Sequence, residues 1–161
     1  MTISEYNNCV DDLSDAIFRF LLKNCRDRDL ANDLVQDSFM KLWLKRKEVE
    51  YAKSKSYLFT TAYHTMIDFF RKDARKDSFD PQVHDFGHSD NSFSDLKEIL
   101  EEAVQKLSPI QRSVVMLRDY EGYSYKEIGE ITDLKEAQVK VYIYRARLFL
   151  KNYLVSPEMV Y

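Results

Sequence analysis

The chain has 161 residues, of which three are Gly and three Pro, and its 24 basic and 27 acidic side chains leave a net charge of −3. So few turn formers, with no Asn-Gly or Asp-Gly pair, exclude a β-sandwich or barrel of this size, and three isolated glycines (Gly87, Gly122, Gly129) exclude a glycine-rich phosphate loop. A composition of 45% hydrophobic and 32% charged residues is globular, with length enough for one domain or two small ones.

The longest apolar runs are four residues, as at Val114–Leu117, against the ~20 that a membrane-spanning helix needs. The N-terminus has no basic segment followed by an apolar one, so no signal peptide is expected, and Cys9 and Cys25 are expected as reduced thiols of a cytosolic protein.

Three helices are predicted in the first part of the chain. The first covers about 8–24, with Val10, Leu13, Ile17, Phe20 and Leu21 at helical spacing. The second, about 29–47, sets Val35, Phe39 and Leu42 against a polar face of Asp33, Gln36, Asp37 and Lys41. That face is either simply solvated or a docking surface for a polar partner. The third, about 54–76, mixes Tyr57, Phe59, Tyr63, His64, Phe69 and Phe70 with Arg71, Lys72, Arg75 and Lys76. Rings and cations together suit single-stranded nucleic acid, although Phe59, Phe69 and Phe70 are expected in the core.

Residues 77–95 are rich in Ser, Asp, Asn, Pro and Gly and carry no apolar period, which reads as a linker between two small domains. Charge changes sign across this joint: residues 51–77 hold six bases and three acids, residues 78–98 one base and five acids. Ordinary solvated helix faces and nucleic-acid binding both fit such a distribution.

Four further helices are predicted. Ser92 and Asp95 resemble a cap for a helix over 96–106, and Ser108-Pro109 opens another to about Tyr120, with Pro where its missing N–H costs nothing. Ser124-x-x-Glu127 is a capping box for a short helix to about Ile131, and a last helix runs over about 135–153. Val139–Tyr144 alternates like a strand, but Val139, Ile143, Ala146 and Leu150 continue a helical stripe that a strand could not use, so helix is favoured.

The last two helices, joined by a short turn, have the pattern of a helix-turn-helix. Gly129 suits a close helix crossing, and Asp133 falls where the turn wants a left-handed residue. With the Val139 stripe inward, the outer face holds Ala137, Lys140, Val141, Tyr144 and Arg145. Its cations fit phosphate or guanine edges and its valine a thymine methyl. An αα-hairpin with a solvated basic face fits the same pattern.

Asp33-Leu-Val-Gln-Asp-Ser-Phe39 with Lys41-Leu-Trp43 resembles the polymerase-binding helix of the extracytoplasmic-function (ECF) sigma factors of the sigma-70 family. Tyr57-Leu58, Ala62, Ile67-Asp68 and Arg71-Lys72 resemble their promoter-melting helix. Leu107-Ser-Pro-x-Gln-Arg112, Glu121–Gly129 and Arg145-Ala-Arg147 are similar to the domain that reads the minus-thirty-five element. The resemblance runs from about Ala16 to Tyr153 and rests on the order and spacing of these motifs.

It implies an all-α fold of two small helical domains joined by a polar linker, with residues 1–76 and 96–161 as the domains and a helix-turn-helix in the second. It implies an initiation factor that binds core RNA polymerase and directs it to promoters, with no cofactor, no catalysis and no membrane insertion, in the bacterial cytoplasm. Asp33, Gln36, Asp37 and Lys41 would meet the β′ clamp helices. The loop 51–56 with Tyr63 and His64 would hold a flipped minus-ten base. Arg71, Lys72, Arg75 and Lys76 would grip phosphates, and Lys140, Val141, Tyr144 and Arg145 would enter the minus-thirty-five major groove. The β flap and an anti-sigma factor are further implied partners.

The chain departs from the family pattern at His64, where Asn is usual, at Tyr57 for Trp, at Val141 for Ser, and at Glu136, which would stand close to DNA. Two other classes share some of these features: a helix-turn-helix regulator acting without polymerase, and a sigma-like decoy for an anti-sigma factor. Enzyme chemistry finds no support, because His64, His84 and His88 lack ligand spacing with the cysteines and no nucleophile motif occurs.

Overall fold

The computed structural model describes residues 1–75 and 92–155. Among these the regular structure is helical, with no strand. Seven α-helices follow in order: α1 Ile3–Cys25, α2 Arg28–Lys45, α3 Ser54–Ala74, α4 Ser92–Gln105, α5 Pro109–Val115, α6 Tyr125–Thr132 and α7 Glu136–Val155. A 3-10 turn over Tyr51–Lys53 leads into α3.

Capping accounts for most of the helix limits. The Thr2 hydroxyl accepts from Glu5 N–H, which starts α1 five residues earlier than its apolar period suggests, and Arg26 closes it in the left-handed region at φ 54°. The Asp27 carboxylate accepts from the N–H groups of Asp29 and Leu30 at the start of α2. Both expected Ser caps in the second half form full capping boxes, Ser108 with Gln111 and Ser124 with Glu127. Hydrogen bonds to Ser124 hold the exposed Glu127 carboxyl below its usual range.

Two further boundaries differ from the sequence reading. Helix α4 begins at Ser92, inside the expected linker, so Ser92 is a helical residue and not a cap for a helix starting at Leu96. The rest of that linker lies outside the described residues. Helix α5 ends at Val115, and the chain widens into a π turn over Met116–Tyr120, closed by Glu121 N–H donating to Met116 C=O at 3.1 Å. Residues 139–144 are helical, because only a helix buries Val139, Ile143 and Ala146 on one side.

Helices α1 to α3 form the first helical domain around Ile17, Phe20, Leu21, Leu34, Leu42, Leu58, Phe59 and Met66. Helices α4 to α7 form the second around Val114, Leu117, Ile128, Ile131, Val139 and Ile143. Phe69, expected inside, is 37% exposed at the outer end of α3.

The two domains pack on each other. Phe59 stands edge-on between Phe20 (5.6 Å between centroids) and Tyr123 (5.3 Å), so one apolar cluster runs through both halves. Helix α6 lies on α3. Around this seam Arg19 donates twice to Glu121 (3.1 and 3.0 Å), Ser113 donates to Asn24 at 3.2 Å, and Gln105 donates to the Lys23 carbonyl at 2.8 Å. The Lys23 ammonium sits 3.3 Å over the Tyr120 ring, and burial lowers its pKa.

Two buried polar atoms at the seam, Arg112 Nε and Tyr123 Oη, find no hydrogen-bond partner among the described residues. An orphaned buried polar atom costs about 1–3 kcal/mol. Desolvation brings the Arg112 guanidinium down to about 10, and it raises the Tyr123 phenol well above its ordinary value.

Candidate nucleic-acid and polymerase interfaces

Three outward surfaces collect the residues singled out by sequence. On α2, Asp33, Gln36 and Asp37 are exposed while Leu34 and Phe39 are buried behind them. Lys41 is exposed at the edge of this face and leans to α3, where its Nζ donates to Thr65 Oγ1 at 2.8 Å. The same stripe continues through Met40 (60% exposed) and Leu44 (73%), at i+7 and i+11 from Asp33. Sequence reasoning missed both; apolar side chains at helical spacing are ordinarily counted as core, and only the packing shows that these two point outward. Beside them a groove of about 460 Å³ is lined by Tyr6, Val10, Val35, Gln36, Phe39, Met40 and Trp43. Its wall is fixed by Tyr6, which donates to the Phe39 carbonyl at 3.0 Å and meets Trp43 edge-on at 5.0 Å.

On α3, His64, Arg71, Lys72 and Arg75 are all exposed. Their spacing of 7, 8 and 11 residues from His64 puts them along one side of the helix. Lys76 lies outside the described residues. Tyr63 meets the His64 ring edge-on at 5.2 Å between centroids, but one residue on the helix is a rotation of about 100°, and its side chain points inward, 4% exposed. Burial raises its phenol pKa, with the Arg71 cation of the same helix opposing the shift. With the domains packed together, Tyr63 has no open face on which a base could stack.

On α7, the outer face forms as the helical stripe requires. Val141 is 45% and Tyr144 68% exposed, and Lys140 and Arg145 stand in solvent beside them. Glu136 pairs with Lys140 at 3.8 Å, so its charge is directed along the helix to a neighbouring cation. Arg147 is turned aside to Asp119, donating from Nε at 3.2 Å. Asp133 holds the turn before α7 at φ 61°, and α6 crosses α7 tightly at Gly129. These are the helix-turn-helix features expected from sequence. Together they project four side chains from the N-terminal half of α7, the part that enters a major groove in such units.

Two family descriptions match the chain, Sigma-70 region 2 over residues 9–76 and Sigma-70 region 4 over residues 97–150. Among curated relatives, the ECF RNA polymerase sigma factor SigM of Bacillus subtilis is 30% identical over 157 residues, covering 94% of each chain. The chain belongs to the ECF sigma factors of the sigma-70 family. The RNA polymerase sigma factor YlaC of Bacillus subtilis is 28% identical over 145 residues, covering 84% of each chain. Among solved structures, the sigma factor RpoE of Bartonella quintana, crystallised with the anti-sigma factor NepR, is similar at 26% identity. Its TM-score is 0.78 over 96% of this chain and 99% of that one. CnrH, in complex with the cytosolic domain of CnrY, shares the fold at 21% identity with a TM-score of 0.69, over 94% of this chain and 88% of that one.

As an ECF sigma factor the chain is a promoter-specific initiation factor that works by binding RNA polymerase. Among the described residues no helix is long and apolar enough to cross a membrane, and no three His, Cys, Asp or Glu side chains gather as metal ligands.

Proposed function

We propose that this sigma factor divides its work among the three surfaces. Asp33, Gln36, Asp37 and Lys41, extended by Met40 and Leu44, meet the β′ clamp helices of core RNA polymerase, and the second domain meets the β flap. Carboxylates flanked by exposed apolar side chains suit a basic, partly apolar helical partner. His64, Arg71, Lys72, Arg75 and Lys76 hold the opened minus-ten strand, where cations track phosphates and an imidazole meets a base edge. Tyr63 backs His64 from beneath, its ring edge-on to the imidazole. Lys140, Val141, Tyr144 and Arg145 read the minus-thirty-five major groove, and the division into residues 1–76 and 96–161 follows these tasks.

The chain itself carries out no chemistry; bond formation is left to polymerase, and both work in the bacterial cytoplasm. An anti-sigma factor is a further partner, supported by the complex with the anti-sigma factor NepR in which the related RpoE occurs.

The observation that carries this reading is the presence on one chain of an acidic docking stripe on α2, a cationic stripe on α3 and a four-residue reading face on α7. Titration of the purified chain with bacterial core RNA polymerase tests it. Tight binding is expected, weakened at least tenfold by Asp37→Lys with the fold intact. A folded chain that ignores core polymerase would sink this reading and leave a polymerase-independent DNA binder or a decoy.

A further inference from the structure

We infer that the cavity between the end of α1 and α4 is a binding site for a small anionic amphiphile, an apolar body with a carboxylate or phosphate head. The cavity shares no residue with the three surfaces assigned above.

Its size and wall suit such a body. The cavity holds about 470 Å³, within the ~300–1,000 Å³ of small-molecule sites. Its wall is apolar: Leu22 of α1, Leu100 and Val104 of α4, and Met116 and Tyr120 of the π turn. Val104 and Met116 are buried, so they form a floor and not a rim. Hydrogen bonds fix that wall. Gln105 donates to the Lys23 carbonyl at 2.8 Å, and Arg112 donates to the Gln105 side-chain oxygen at 3.1 Å. An apolar body seated here would take the place of water against these side chains, which favours binding.

The rim supplies the charge. Lys23, Arg26, Arg28 and Lys97 line the cavity with a single carboxylate, that of Glu101. Arg26 pairs with Glu101 at 3.9 Å, whereas no ion pair engages Lys23, Arg28 or Lys97 among the described residues. The Lys23 ammonium instead lies over the Tyr120 ring at 3.3 Å. Burial lowers its pKa, and the cations Arg19 and Lys97 lower it further against the opposing pull of Glu121 and Glu101. Cations that depress one another mark a positive potential, which an anion relieves. Arg28 is the first residue of α2, where the helix dipole disfavours a cation, so helix stability does not account for its place. Guanidinium groups meet carboxylate or phosphate oxygens in pairs of hydrogen bonds, and an apolar wall beneath them keeps water from the contact. A neutral apolar molecule would leave the rim charges unanswered, and a cation would add to them.

The test is calorimetric titration of the full chain with decyl phosphate below its micelle concentration, beside 1-decanol and decyltrimethylammonium. Saturable one-to-one binding of decyl phosphate is expected, with decanol about tenfold weaker and decyltrimethylammonium not bound. Decyl phosphate is also expected to raise the thermal midpoint, because it binds the folded chain. Arg28→Gln with Lys97→Gln changes two exposed residues and is expected to keep the fold. It is expected to weaken decyl phosphate about tenfold and to leave decanol unchanged. Leu100→Trp fills the apolar end and is expected to weaken both; if it does not fold, the double glutamine variant decides. Equal affinities for decyl phosphate and decanol would overturn the inference, as would full affinity in the double variant. Binding to phosphatidylglycerol vesicles with none to the monomer would overturn it as well, since a bilayer surface would then be the ligand.

Discussion

A Cβ on Gly129 would stand 2.7 Å from the carbonyl oxygen of Leu134, a backbone atom that cannot move aside without shifting the turn into α7. The usual helix-propensity gain of Gly→Ala, ~1 kcal/mol, is therefore outweighed by overpacking of ~1–3 kcal/mol. Gly129→Ala is expected to destabilise the second domain by about 1–2 kcal/mol, read as a lower urea midpoint. Minus-thirty-five binding should weaken with it, because the same turn aims α7. A midpoint equal to wild type would show that the turn relaxes freely.

Arg145 and Lys140 share the outer face of α7, but Lys140 is drawn to Glu136 while Arg145 stands in solvent. Arg145→Ala should cost about 1–3 kcal/mol on a matched duplex and relax preference at one base position. Lys140→Ala should cost less on the same duplex, because Glu136 already draws on its charge. A uniform loss from Arg145→Ala, with preference retained, would reassign it to phosphate.

Met40 and Leu44 extend the α2 stripe outward and bury little surface. Leu44→Asp should leave thermal stability within about 0.5 kcal/mol, as surface changes ordinarily do. Core polymerase affinity should fall severalfold. Undiminished affinity in a competition titration would confine docking to the polar residues of the stripe.

Tyr123 carries a buried hydroxyl that has no partner among the described residues. Removing it as Tyr123→Phe keeps the ring against Phe59 and should stabilise the chain by about 1 kcal/mol at neutral pH. Alkali should widen that difference. The folded state holds the Tyr123 proton above its ordinary value of 10.0, so past that pH the unfolded chain has lost a proton the folded chain keeps. Stability contributed by this group is complete below pH 10 and falls above it, by ~1.4 kcal/mol per pH unit. Urea midpoints of both chains from pH 8 to 11 check this; parallel curves would mean that Tyr123 ionises as readily folded as unfolded.

Much of the site was legible one residue at a time. Ser108-Pro109 and Ser124-x-x-Glu127 gave their helix starts because capping is a local hydrogen-bond problem. Gly129 and Asp133 marked the helix-turn-helix because each answers a local backbone demand. The exposed outer face of α7 followed from a stripe that only a helix could bury. Tyr63 was not legible: adjacent to His64 in sequence and in edge contact with its ring, it is buried while His64 is exposed. Phe69, expected inside, erred in the opposite sense, since apolarity alone does not tell whether a neighbour arrives to cover it.

Composition, periodicity and capping by themselves determined an all-α chain, two helical units, a helix-turn-helix and the residue types of the three surfaces. These depend on contacts within a few residues, whose energies the local sequence sets. Tertiary structure alone decided that the two units close on each other, that Arg19 pairs with Glu121 across 102 positions, and that Tyr63 is covered while His64 is not. Those outcomes turn on which distant surfaces meet. The hydrophobic effect that drives them is non-directional, so no residue pattern specifies its partner in advance.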